Sequence, residues 1–115
     1  MKSLKYKLSN AYKFGWKGIE GWAYNNKNDF NRASAAIFKV RGRHGKVKSL
    51  VSDRIYLVLE GRGEFLINKK TIPIEKNDVI IIPKNTPYDY KTTRGILSLY
   101  LVHVPAYDEK KEIKL

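Results

Sequence analysis

The sequence predicts an all-β domain built as a barrel or a sandwich. Three observations carry that expectation. Short runs of β-branched and aromatic residues recur, turn residues separate them every several positions, and no amphipathic helix of useful length appears.

In chain order, ASAAIFKV (Ala33 to Val40) alternates loosely and ends at the turn RGRHG. RIYLVLEG (Arg54 to Gly61) is β-branched and aromatic, and GEFLIN (Gly63 to Asn68) follows across a glycine-bounded hairpin. KTIPI (Lys70 to Ile74) carries Pro73, which has no N–H for a ladder, so it is expected at an edge. The run Val79-Ile80-Ile81-Ile82 stops at Pro83, a short polar turn leads to Pro87, and the chain re-emerges as Tyr88-Asp89-Tyr90. That is the pattern of two strands joined at a rigid corner. GILSLYLVHV (Gly95 to Val104) is the longest predicted strand. The only helical hint is the terminal DEKKEIKL, which is short and highly charged. The expected core is Ile55, Leu57, Val58, Leu59, Val79, Ile81, Leu99 and Leu101.

A length of 115 residues implies one domain. The organisation expected is an aromatic-rich N-terminal extension over 1–32, a barrel over 33–108 and a charged tail over 109–115. The extension holds Tyr12, Trp16, Trp22 and Tyr24 among glycines, and is expected to pack on the barrel's open end or on a second copy of the chain. No cysteine is present, which rules out disulfides and thiolate metal sites and fits a cytoplasmic location. The N-terminus lacks the apolar stretch of a signal peptide, and no run approaches the roughly 20 residues that span a bilayer.

The net charge of +12 admits a polyanionic partner. Lys39, Arg41 and Arg43 are spaced two apart, as on one strand face. No RNA-binding signature accompanies them, so a solvated basic face is expected rather than a nucleic-acid stripe.

The segment RIYLVLEGRGEFLINKKTIPIEKNDVIIIPKNTPYDY resembles the cupin family, with YLVLEGRGEF like the end of its first box and KNDVIIIPKNTPY like its second. The resemblance runs from about Ala33 to about Asp108. It implies a jelly-roll-like double-stranded β-helix barrel, commonly dimeric, often with a divalent metal in its mouth. The family's ligand positions fall here on Lys48, Leu50, Arg54 and Tyr88, none of the usual type. Asn77 and Asn85 replace the second box's glycines and tolerate the same left-handed turns. No metal and no cofactor are therefore expected.

In that frame Arg54, Tyr56, Tyr88 and Tyr90 wall the mouth, with Lys48 as a second cation. Phenols beside a guanidinium suit a small anionic or sugar-like molecule. The competing arrangement has Arg54 paired with Asp53, Glu60 or Glu64 and the tyrosines filling a collapsed barrel. His44 is expected to be exposed and idle in its turn, beside cations that disfavour its protonation. His103 is expected to be a buried, hydrogen-bonded histidine. Arg41, Gly42 and His44 also resemble the RG-x-H element of the metal-free sugar-nucleotide 3,4-ketoisomerases, although Lys46 stands where their second histidine would be. Three functions stay open: a metal-independent small-molecule binder, an isomerase or epimerase pairing His44 or His103 with Tyr88 or Tyr90, and a basic interaction module. A homodimer is expected, and a membrane is not.

Overall fold

The computed structural model describes residues 4–115. Among these, nine strands form one continuous hydrogen-bonded sheet: β1 (Tyr12–Trp16), β2 (Ile19–Ala23), β3 (Ser34–Val40), β4 (Val47–Ser49), β5 (Asp53–Ile67), β6 (Lys70–Glu75), β7 (Val79–Ile82), β8 (Tyr88–Val104) and β9 (Glu112–Lys114). Leu8–Asn10 and Glu109–Lys111 form short 3₁₀ turns. No helix among the described residues is long and apolar enough to cross a membrane.

β5 and β8 organise the fold. They run for 15 and 17 residues, about three times an ordinary strand. The first half of β5 lies between β7 and the second half of β8; its second half lies between β6 and the first half of β8. β8 also pairs with β3 through Leu97 to His103 and with β4 at Tyr88. Two curved layers, β1-β2-β3-β8-β5-β7 and β9-β4-β8-β5-β6, therefore share their two longest strands. The crossing point lies at register shifts between Val58 and Gly63, where bulges bend the strand. Gly61 there has a φ of 86°, a conformation that costs glycine little and other residues much.

Strict alternation places the core. On β3, Ser34, Ala36, Phe38 and Val40 are buried and the residues between them are not. Phe38, Val58, Leu97, Leu99 and Leu101 from one layer meet Phe65, Ile74, Tyr88 and Tyr90 from the other. Asn77 and Asn85 have φ values of 76° and 63°, the left-handed geometry expected of them.

Two expectations need correction. Of the predicted core, Val58, Leu99 and Leu101 are buried, but Ile55, Val79 and Ile81 are 39%, 54% and 64% exposed and Leu57 and Leu59 are half-buried. A continuous apolar run does not reveal which of its faces is covered, and here period-2 alternation turns half of it outward. DEKKEIKL is a 3₁₀ turn followed by strand β9. In the N-terminal region, β1 and β2 extend the sheet through β3. Residues 1–3 of that region lie outside the described residues. Around the expected solvated basic face, where the Arg41 and Arg43 side chains are 47% and 66% exposed, the cations have local partners. Lys39 donates to Ser98 at 3.3 Å, Arg41 pairs with Glu20 at 2.5 Å, and Arg43 pairs with Asp89 at 2.5 Å.

A Cβ at Gly61 would run into the Ile96 carbonyl, whereas one at Gly95 (φ 65°) meets nothing within 4 Å. Gly61→Ala is therefore expected to destabilise by about 2 kcal/mol or more and Gly95→Ala by about 1. Urea unfolding of the two variants checks the order; equal midpoints would refute the crossing-point constraint.

Candidate functional site

Alternation on β5 points Arg54, Tyr56 and Val58 inward, and β8 carries Tyr88 and Tyr90 into the same space. Arg54, Tyr56, Tyr88 and Tyr90 are 3%, 0%, 1% and 2% exposed, so they lie wholly inside the barrel. The Tyr56 and Tyr88 hydroxyls are 2.7 Å apart. Arg54 Nη1 donates to the Tyr88 hydroxyl, and Nη2 donates to the carboxylate of Glu112. A hydrogen-bonded chain thus runs from the C-terminal strand through Arg54 to Tyr88 and Tyr56. Among the described residues, two buried polar atoms stand outside it with no hydrogen-bond partner: Arg54 Nε and the Tyr90 hydroxyl. Such groups cost free energy and mark places where a ligand or water is accommodated.

Sequence reasoning missed Arg54's partner. The pairing is with Glu112, a residue of the supposed tail, rather than with Asp53, Glu60 or Glu64. Lys48 is not in the barrel. It alternates with buried Val47 and Ser49 and so occupies the outer face of β4, opposite Ile113.

His44 is not an idle turn histidine. Its ring stacks on Tyr90 at 4.6 Å and on Tyr88 at 6.1 Å, and meets Trp16 edge-on at 5.2 Å. Trp16 Nε1 donates to the His44 carbonyl at 3.1 Å, which fastens the N-terminal hairpin across this end of the barrel. Asp89, itself buried, accepts from Gly45 N–H at 2.8 Å and from Arg43 Nε at 2.5 Å, holding both neighbours of His44. His44 Nδ1 lies 2.8 Å from the Gly45 carbonyl. A carbonyl only accepts, so the neutral ring carries its proton on Nδ1 and leaves Nε2 as a free base. His103 faces inward, opposite Arg54 in the ladder, and packs on Tyr107 at 5.3 Å.

The electrostatics separate acids from bases. Burial lowers the pKa of His44, with Arg54 adding to the effect and the Gly45 carbonyl and Asp89 opposing it. His103 is pushed well below its ordinary value by burial and then by Arg54. Burial raises Tyr56, Tyr88 and Tyr90 above the usual phenol value. Burial alone would favour a neutral guanidine at Arg54, but the Glu112 carboxylate hydrogen-bonded to it holds the charge. At neutral pH the interior offers neutral imidazoles as bases, neutral phenols as acids and one compensated cation.

Residues 29–109 match the model of the family described as Ethanolamine utilisation protein EutQ. The chain belongs to that family. An uncharacterised protein of Methanocaldococcus jannaschii is 30% identical over 64 residues, 55% of this chain and 51% of that one, so the match spans about half of the relative's length. Streptomyces Pac13, described as a nucleoside dehydratase, is 25% identical with a TM-score of 0.86, covering 98% of this chain and 91% of that one. A tyrosine-to-phenylalanine variant of Pac13 with uridine is 25% identical with a TM-score of 0.87, covering 100% and 92%. Oxalate decarboxylase of Bacillus subtilis shares the fold at 11% identity and a TM-score of 0.88, covering 100% of this chain and 33% of that one. The barrel is therefore a cupin double-stranded β-helix.

The cupin fold implies a metal in the mouth, and the residues here do not fit one. The buried Arg54 guanidinium, at a position where the resemblance implies a ligand, puts a fixed cation where a cation would bind. Among the described residues no three His, Cys, Asp or Glu side chains converge.

Both histidines hold fewer protons folded than unfolded. Stability should be full above the unfolded histidine pKa near 6.5 and fall as pH drops below it. His103, the more depressed, is expected to cost up to about 1.4 kcal/mol for each pH unit between its two values. Thermal unfolding between pH 7 and 5 checks this; His103→Gln should flatten the decline, and an unchanged slope would contradict it.

Proposed function

We propose that the barrel interior is a metal-independent acid–base site for a small sugar-bearing molecule of the nucleoside type, with His44 as base and Tyr90 as acid. The observation that carries this reading is their pairing. A neutral imidazole with a free Nε2 is stacked 4.6 Å from a phenol whose buried hydroxyl has no partner. The likeness to a nucleoside dehydratase supports the same chemistry.

Elimination of water uses the pair directly. His44 Nε2 takes a proton from a carbon made acidic by a neighbouring carbonyl. That C–H electron pair becomes the new C=C bond as the β C–O bond breaks. Tyr90 gives its proton to the departing hydroxide, which leaves as water. The imidazolium then restores the phenol through solvent. Tyr88 and Tyr56, hydrogen-bonded to each other and linked to Arg54, orient the sugar hydroxyls.

Uridine titrated into the protein is expected to shift the ring resonances of His44, Tyr56 and Tyr90. A β-hydroxy carbonyl nucleoside should lose water or exchange its α-hydrogen in D₂O. His44→Gln should slow either process about a hundredfold or more, while Tyr90→Phe should spare exchange relative to elimination. Uridine binding without turnover or exchange would reduce the site to a binder, and no uridine response would overturn the nucleoside reading.

We also propose that the chain self-associates through the outer face of the larger layer. Ile37, Tyr100, Leu57 and Val79 lie in one register row, and Ala35, Val102, Ile55 and Ile81 in the next. This apolar face, with Ile55, Val79 and Ile81 exposed on a chain of net charge +12, supports a homodimer better than Trp16 does, because that ring is engaged with Phe38 and His44 of the barrel. Light scattering should find a dimer that Ile81→Lys converts to monomer; a wild-type monomer at high micromolar concentration would refute it.

A further inference from the structure

Arg54 and its partner do a second thing that the acid–base pair does not require. We propose that Arg54 is an anion site that the chain fills in cis with Glu112, and that a ligand bearing a carboxylate or phosphate enters by displacing strand β9, provided that ligands bind in the barrel interior as proposed above.

The site is built for a carboxylate-like group. Arg54 is 3% exposed, and its Nη1 and Nη2 donate to the Tyr88 hydroxyl and the Glu112 carboxylate. Its Nε, also buried, has no partner. Glu112 thus leaves one donor of the planar fork unused, whereas a ligand oxyanion is free to take Nη2 and Nε together, the bidentate geometry that guanidinium favours.

The occupant is held lightly. β9 is three residues long and pairs only with β4, itself three residues, at the end of the sheet. None of its residues is buried, and none belongs to the hydrophobic core. The turn before it, Glu109–Lys111, buries nothing either. What secures the strand, beyond the ladder and its flanking bonds from Leu50 N–H to the Lys111 carbonyl and from Leu115 N–H to the Lys46 carbonyl, is the Glu112 carboxylate on Arg54. An anion that replaces that carboxylate removes the strand's one buried charge contact, so binding and release of β9 are coupled.

The test uses the intact wild-type chain, with amide hydrogen exchange read at Leu50 and Leu115. At matched ionic strength, sodium phosphate or sodium acetate is expected to accelerate exchange at both amides in a saturable way relative to sodium chloride. A response to phosphate alone identifies a phosphoryl group and to acetate alone a carboxylate. Glu112→Gln should then bind the effective anion about tenfold tighter than wild type, the gain expected if the site is self-filled about 90% of the time. Arg54→Met should abolish the response. Equal exchange in phosphate, acetate and chloride overturns the proposal, whether or not the variants fold. Release of β9 by anions in a protein indifferent to uridine would leave the anion site standing and the nucleoside reading fallen. Uridine binding with β9 unmoved by anions would do the reverse.

Discussion

The burial of one guanidinium constrains the interior of this barrel more than any other interaction. Removing a charge of that size from water costs several kcal/mol after relaxation, and the cost is recovered only when partners satisfy it. Arg54 recruits those partners from β9 and β8, and through Tyr88 reaches Tyr56 on its own strand. A single side chain on β5 therefore ties the last strand of the chain to the longest one. Replacing such a group with an apolar residue of similar volume is often neutral or stabilising. Stability alone does not explain an arginine here, and the unused Nε argues that the guanidinium faces something other than its present partners.

At the other end of the interior, order is imposed by a carboxylate. Asp89 sits between Tyr88 and Tyr90 and accepts hydrogen bonds from Gly45 N–H, Arg43 Nε and Tyr90 N–H. The loop RGRHG is consequently fastened on both sides of His44, and the imidazole is delivered onto the Tyr90 ring. Trp16 and Phe38 complete the wall, at 5.2 and 6.4 Å from the imidazole. Of the N-terminal aromatics, Trp16 thus lines this end of the barrel.

Much of this was legible in the sequence, and the rest has a physical reason for being hidden. The β class, the turns at Asn77 and Asn85, and the inward set Arg54, Tyr56, Tyr88 and Tyr90 follow from alternation and from the resemblance to cupin boxes. Alternation also exposes the error at Lys48, because a one-residue shift in register moves a side chain to the opposite face. DVIII concealed its outer face because every one of its last four positions is apolar, so hydrophobicity carries no phase there. Glu112 was illegible because its partner lies 58 residues away and its strand is too short to show a period. His44 was misplaced because a turn rich in Arg, Gly and Lys resembles a solvated loop. Contacts from distant residues make it an ordered one: Asp89, forty-four residues from Gly45, and the Tyr90 carbonyl that accepts from His44 N–H.

The two ends also divide the electrostatic labour of the proposed chemistry. His44 and Tyr90 are themselves neutral at pH 7, so the proposed proton transfer between a substrate carbon and a leaving hydroxyl begins from an uncharged acid and an uncharged base. As the elimination proceeds, an imidazolium and a phenolate appear together in a site of low dielectric, where their separation is costly unless a fixed charge favours one of them. Arg54 opposes protonation of His44, but it lowers the pKa of Tyr90 and, more directly, that of Tyr88. The field of the guanidinium thus stabilises the phenolate while resisting the imidazolium, and Asp89 offsets the second effect by raising His44. Arg54 and Asp89 therefore act on the pair in opposite senses: the guanidinium favours the phenolate and resists the imidazolium, and the carboxylate does the reverse.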